Sequence, residues 1–283
     1  MFYLLNCFIQ MKILISNNDL NEALYDVSDL GFVPTMGSLH KGHISLIKKS
    51  LNECKKTIVS IFVNPTQFNN KNDFKNYPRN KKKDLSILKK LKINFLYMPK
   101  VKDVYYLKRK SSIKLNKKDK ILCAKFRIGH FEGVIDVMKR LTKIIKPQKV
   151  YLGEKDFQQL FLVNKYIPKQ HNMKIISCKT IRDNNKLAFS SRNKLLSRNE
   201  LIQAKKISKE IFLLKKRLSK NRNIKDLISD KKKELINSFN IKLDYLELRN
   251  KFNLKVSNKV KNSKLFIAYY INKVRLILFL NSK

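Results

Sequence analysis

Residues 33–43 read Val-Pro-Thr-Met-Gly-Ser-Leu-His-Lys-Gly-His and hold two of the chain's four histidines, His40 and His43. The apolar run Gly31-Phe32-Val33 precedes them, and Ile44, Leu46 and Ile47 follow at amphipathic spacing. Strand, glycine turn, helix is the order this predicts. Such a turn aims backbone N–H groups and the positive end of a helix at an anion. A spacing of three places both imidazoles on one face of the first helical turn. That chemistry suits a nucleotide attacked at its phosphates. A surface histidine pair is the plainer alternative; the preceding strand and the flanking Gly37 and Gly42 weigh against it.

Four further segments carry reactive side chains. Ser60–Phe68 ends an apolar run in Asn-Pro-Thr-Gln, where Gln67 can both donate to and accept from a neutral substrate group. Phe126–Gly133 holds Arg127 and His130, which either contact a carboxylate or order their loop. In Gly153–Gln159, Lys155 is a compact ammonium suited to charge building on a phosphoryl group, and Asp156 is placed to cap a helix. Gln159 lies one turn further along. Phe189-Ser-Ser-Arg192 offers two hydroxyls and a guanidinium in succession, a phosphate clamp.

Alternating strand and helix patterns must position these groups. Strands are expected at Lys12–Ser16, Gly31–Pro34, Thr57–Val63, Ile93–Met98, Lys149–Leu152 and Met173–Cys178. Helices are expected near Leu20–Val27, His43–Leu51, Lys81–Leu91, Gly133–Lys146 and Asp156–Ile167. The pattern predicts an α/β fold with a parallel sheet, whose ligands lie outside the carboxyl ends of the strands. Each reactive stretch follows a strand except the one beginning at Phe126. After about Thr180 the character changes. A basic helical region (Arg198–Lys220) and a Lys/Asn-rich stretch lead to alternating segments at Lys242–Leu248, Leu265–Tyr270 and Val274–Leu280. These predict a smaller α+β domain over 180–283 beside a nucleotide-binding domain over 11–179. Residues 1–10 are apolar without a signal-peptide pattern and read as a loose extension, with Met11 a natural start.

The chain has 283 residues, 43% of them hydrophobic, enough for a substantial core. Its four cysteines are widely spaced, which argues against a disulfide framework or zinc site and for a reducing cytosol. Sixty-three Lys and Arg against 21 Asp and Glu give +42, which invites nucleic acid. The lysines are spread chain-wide among Asn and Ile, however, with no interleaved aromatic surface. We read the charge as compositional drift, with no dedicated nucleic-acid or membrane partner.

The ordered set Val-Pro-Thr-Met-Gly-x-Leu-His-x-Gly-His, Val-Asn-Pro-Thr-Gln-Phe, Tyr77-Pro78-Arg79, Phe-Arg-x-Gly-His-Phe-x-Gly-Val, Gly-Glu-Lys-Asp-x-Gln-Gln and Ser-Ser-Arg-Asn resembles the pantothenate synthetase (pantoate–β-alanine ligase) family. The match runs from about Met11 to Asn193 and continues loosely through Asp244–Glu247 and Val274–Ile277. The resemblance implies a Rossmann-like nucleotidyltransferase domain, a C-terminal lid domain and a homodimer. It implies condensation of pantoate with β-alanine, using ATP and Mg²⁺, through a pantoyl adenylate. Met36, Gly37, Ser38, Leu39, His40, Lys41, Gly42 and His43 would line the ATP site, with His43 as proton donor and His40 and Lys155 beside it in the chemistry. Gly153, Glu154, Lys155 and Asp156 would also contact ATP, with Ile181 at adenine and Phe189, Ser190, Ser191 and Arg192 closing on the triphosphate. Gln67 and Gln159 would hold pantoate, Gln67 also bordering β-alanine, and Asp84 would be a remote magnesium partner.

Departures from the family pattern are Phe189 for Met, Lys186 for Gly, Ile128 for Pro and Asp136 for Thr. They predict a competent but slow and thermally fragile enzyme. Two other readings stand beside this one. A different nucleotidyltransferase would share the histidine turn but not Gln67, Gln159 and the Phe126–Gly133 segment. An RNA-binding protein on an inactive nucleotide fold would hold RNA tightly even at about 200 mM salt.

Overall fold

The computed structural model describes residues 10–105, 113–167, 173–220 and 223–281. The expected extension at 1–10 falls almost wholly outside them. In chain order the elements are β1 (Lys12–Leu14), α1 (Asn17–Ala23), β2 (Leu30–Thr35), α2 (Lys41–Glu53), β3 (Lys56–Ile61), α3 (Lys71–Lys75), α4 (Lys81–Lys90), β4 (Phe95–Tyr97) and α5 (Val101–Val104). Then come α6 (Cys123–Phe126), α7 (His130–Ile145), β5 (Lys149–Gly153), α8 (Phe157–Tyr166), β6 (Lys174–Cys178), α9 (Arg198–Leu218), α10 (Ile224–Phe239), β7 (Lys242–Asn250), β8 (Ser263–Ile271) and β9 (Val274–Asn281).

The described residues pack as two compact units, the first drawn from those within 10–119, 127–153 and 159–178. Its sheet is wholly parallel in the order β1-β4-β3-β2-β5-β6. The central strands are continuously apolar because helices cover both faces of a parallel sheet. Val33, Val59 and Leu96 from the strands meet Leu46 and Ile47 of α2 and Leu88 of α4 in one buried cluster. Strand order reverses at β2: the chain moves outward through β3 and β4 on one side, then returns to lay β5 and β6 on the other. Ligands of open α/β sheets bind at such a switch, outside the carboxyl ends of the strands. The segment that leaves β2 there is Met36–His40.

The second unit is drawn from the described residues within 120–126, 154–158 and 179–281. Its antiparallel sheet, in the order β7-β8-β9, carries α9 and α10 on an apolar face that includes Ile207, Ile211, Leu235, Leu246 and Ile267. Chain order alone would put 120–126 and 154–158 in the first unit. Side-chain packing places them here. Phe157 lies 5.9 Å from the Phe266 ring and 5.6 Å from Phe279, the Lys264 ammonium sits 4.3 Å over the Phe157 ring, and Cys123 Sγ meets the Tyr245 hydroxyl at 2.9 Å. Helix α10 falls where the sequence showed only a Lys/Asn-rich stretch. Lys231 occupies its buried face and breaks the apolar stripe, held by Glu210 at 2.9 Å and Glu234 at 2.6 Å.

Candidate active site

The turn after β2 is fixed from below. Thr35 Oγ1 donates to the Ser60 carbonyl at 2.7 Å and accepts the Gly37 N–H at 3.1 Å. The next two residues are left-handed, Gly37 at φ +76° and Ser38 at φ +53°, a conformation natural for glycine and strained for serine. Asp84, 2% exposed at the start of α4, holds it there. One of its carboxylate oxygens accepts the Ser38 N–H and the other the Leu39 N–H, each at 2.7 Å. These two N–H groups are therefore spent on Asp84.

His40 is the N-cap of α2, one residue before the helix, and its Nδ1 accepts the Gly42 N–H at 3.1 Å. His43 stands in the first turn, and the two rings stack with centroids 4.0 Å apart. The cap requires a lone pair on His40 Nδ1, so the proton of the neutral ring sits on Nε2.

Gln67 is buried in a 3₁₀ turn, Pro65–Gln67, that follows β3. Its Nε2 lies 3.0 Å from Met36 Sδ, which brings it to the histidine turn. Its Oε1 accepts from Asn64 Nδ2 at 3.1 Å. Asn64 is a residue that sequence reasoning passed over: its Oδ1 accepts the Thr66 N–H at 3.3 Å and the Tyr105 hydroxyl at 2.8 Å. An Asn-Pro pair directly after a buried strand was the signal available for it. Gln159 is half-buried on α8, and Gly153 ends β5, the strand beside β2.

The remaining expected site residues belong to the smaller unit. Glu154–Asp156 form a 3₁₀ turn in which Lys155 Nζ lies 3.4 Å from Asp156 Oδ1. The Ile181 carbonyl accepts the Phe189 N–H at 3.1 Å, closing a short hairpin. Ser190 caps the turn Ser191–Leu195 by accepting the Arg192 N–H at 3.3 Å. Arg182 anchors the hairpin, donating to the Phe279 carbonyl at 2.8 Å, and burial pulls its pKa down to about 10.

The departures acquire physical content here. Lys186 sits at φ +69° in this hairpin, so a side chain occupies a backbone state suited to glycine. Lys186→Gly should raise stability by about 0.5–1 kcal/mol, the left-handed penalty less glycine's greater unfolded entropy. A urea midpoint that is unchanged or lower would contradict this. Asp136 is buried but paired, accepting from Arg140 Nε at 3.1 Å, while the Arg140 guanidinium lies 4.7 Å over Tyr105. Ile128 is 82% exposed and contributes no packing.

A parallel sheet with a histidine-capped helix at its switch point, and a glutamine turn beside it, defines a nucleotide-binding α/β enzyme. The model of the pantoate-beta-alanine ligase family matches residues 12–279. A pantothenate synthetase of Flavobacterium psychrophilum is 40% identical over 264 residues, 91% of this chain and 93% of that protein. Among solved structures, pantothenate synthetase from Thermus thermophilus superposes with a TM-score of 0.90 at 28% identity, covering 96% of this chain and 99% of the other. Pantoate-beta-alanine ligase from Francisella tularensis, complexed with beta-gamma ATP and β-alanine, gives 0.80 at 37% identity, covering 96% and 98%. The chain belongs to the pantoate–β-alanine ligase family.

Proposed function

We propose that this protein condenses pantoate with β-alanine at the expense of ATP, releasing AMP and pyrophosphate. The family match across 12–279, spanning both units, carries the reading. In the first step a pantoate carboxylate oxygen attacks the α-phosphorus of ATP and pyrophosphate leaves. In the second, the β-alanine amine attacks the acyl carbon of the adenylate, AMP departs, and the amine gives up a proton.

The first step brings anion to anion, so it needs positive charge and N–H donors more than a base. Lys155 and Arg192 supply charge, and the start of α2 supplies donors. His40, held neutral by its cap, leaves His43 to carry the proton that meets the phosphates. Gln67 and Gln159 hold pantoate.

ATP arrives as a magnesium complex. Among the described residues no three acidic, imidazole or thiol side chains converge, and both Asp84 oxygens serve backbone N–H groups. The described residues thus form no resident Mg²⁺ cage. Mg²⁺ commonly enters on the phosphates of its nucleotide. The same reading includes a homodimer and the cytosol. Among the described residues no helix is long and apolar enough to cross a membrane.

Exchange of labelled pyrophosphate into ATP should depend on pantoate, and AMP release should require β-alanine as well. Folded protein with Mg²⁺ that shows no pantoate-dependent exchange refutes the assignment.

A further inference from the structure

The Phe126–Gly133 segment has a use that the reaction above does not assign. We propose that His130 is a positioning residue for Gln67, acting as a neutral imidazole whose Nδ1–H holds the substrate-facing turn and whose Nε2 is locked by Arg127. The substrate clause rests on the functional reading above; the tautomer does not.

His130 is 7% exposed at the first position of α7. Its Nδ1 lies 2.7 Å from the backbone carbonyl of Gln67, and its Nε2 lies 2.7 Å from Arg127 Nη1. A carbonyl only accepts and a guanidinium only donates. The hydrogen therefore sits on Nδ1, and Nε2 offers a lone pair to Arg127. A second proton would set an N–H against the guanidinium donors and add a charge beside a charge.

The same helix turn meets the Asn64–Gln67 turn at two further points. The Gly133 carbonyl accepts from Asn64 Nδ2 at 3.2 Å, and that amide also donates to Gln67 Oε1. A Cβ on Gly133 would come within 2.5 Å of the Thr66 carbonyl oxygen, so helix and turn meet backbone to backbone. His130 fixes the main chain of Gln67 while Asn64 fixes its side chain. With its lone pair engaged by Arg127, His130 is also not the group that takes the β-alanine proton.

Three variants of the full chain separate the contacts. In His130→Asn the side-chain amide reaches the Nδ1 position and keeps the donor to Gln67. In His130→Gln the amide reaches the Nε2 position and loses that donor, and His130→Ala loses both contacts. In the pyrophosphate exchange assay, Gln and Ala should raise the KM for pantoate about tenfold, the order of one lost buried hydrogen bond. The KM for ATP should stay within about twofold, and Asn should recover most of the pantoate loss. An unchanged pantoate KM in the alanine variant, an equal rise for ATP, or Asn no better than Gln overturns the proposal. Independently of activity, ¹⁵N NMR of histidine-labelled wild-type protein at pH 7, with the His130 signals assigned by their loss in His130→Ala, should show that ring neutral and protonated at Nδ1. An Nε2–H tautomer or an imidazolium at His130 overturns it as well. Wild-type protein without exchange but with the Nδ1–H tautomer instead removes the functional reading and leaves the turn contact standing.

Discussion

Lys155→Ala should lower pantoate-dependent pyrophosphate exchange by about 10²–10³, the usual loss for one donor that stabilises transition-state charge. On the proposed role the effect should fall on turnover, with the KM for pantoate little changed, because the ammonium would answer charge that grows only as the carboxylate attacks. Instability is a poor alternative explanation. The partner, Asp156, has a side chain 46% exposed against 21% for Lys155, at 3.4 Å, and exposed pairs of this kind contribute less than about 1 kcal/mol. The turn itself is held by Phe157 against Phe266 and Phe279, contacts that the substitution leaves intact. A thermal melt like that of wild type with near-normal exchange would remove Lys155 from the chemistry.

Asp84→Ala has the second large effect, and it acts through the backbone. Removing the carboxylate strands the buried N–H groups of Ser38 and Leu39, at about 1–3 kcal/mol each, in a turn already strained at Ser38. We expect a loss of about 2–6 kcal/mol in urea unfolding and a fall in exchange, since the displaced loop carries Met36 and leads into His40. Asp84→Asn keeps the volume but turns an NH₂ group toward one of the two N–H donors, so it recovers little. A titration with Mg²⁺ separates loop holding from the expected magnesium role. Activity of the asparagine variant that excess Mg²⁺ does not restore marks a pin for the turn; restoration marks a partner of the metal.

Much of this protein was legible because its signals are local. The strand–turn–helix at 30–53, the parallel sheet and the antiparallel C-terminal sheet each follow from periodicities that a few neighbouring residues set. Helix α10 was not legible, because Lys231 on its inner face looks like a solvent residue until Glu210 and Glu234 are seen beside it. The Phe126–Gly133 motif was visible, but its purpose was not: His130 reaches a carbonyl 63 positions earlier in the chain.

By itself the sequence determined the chemistry on offer: two histidines at a helix start, a glutamine after a strand, a lysine in a Gly-Glu-Lys-Asp turn. Tertiary structure alone decided which groups hold the others. Asp84 meets the turn of Ser38 and Leu39 from 46 and 45 positions away, and Phe157 draws 154–158 into the smaller unit. The reason is physical. Side-chain type is a property of one residue, whereas pairing a buried donor with an acceptor depends on which distant segments the closed core brings within about 3 Å.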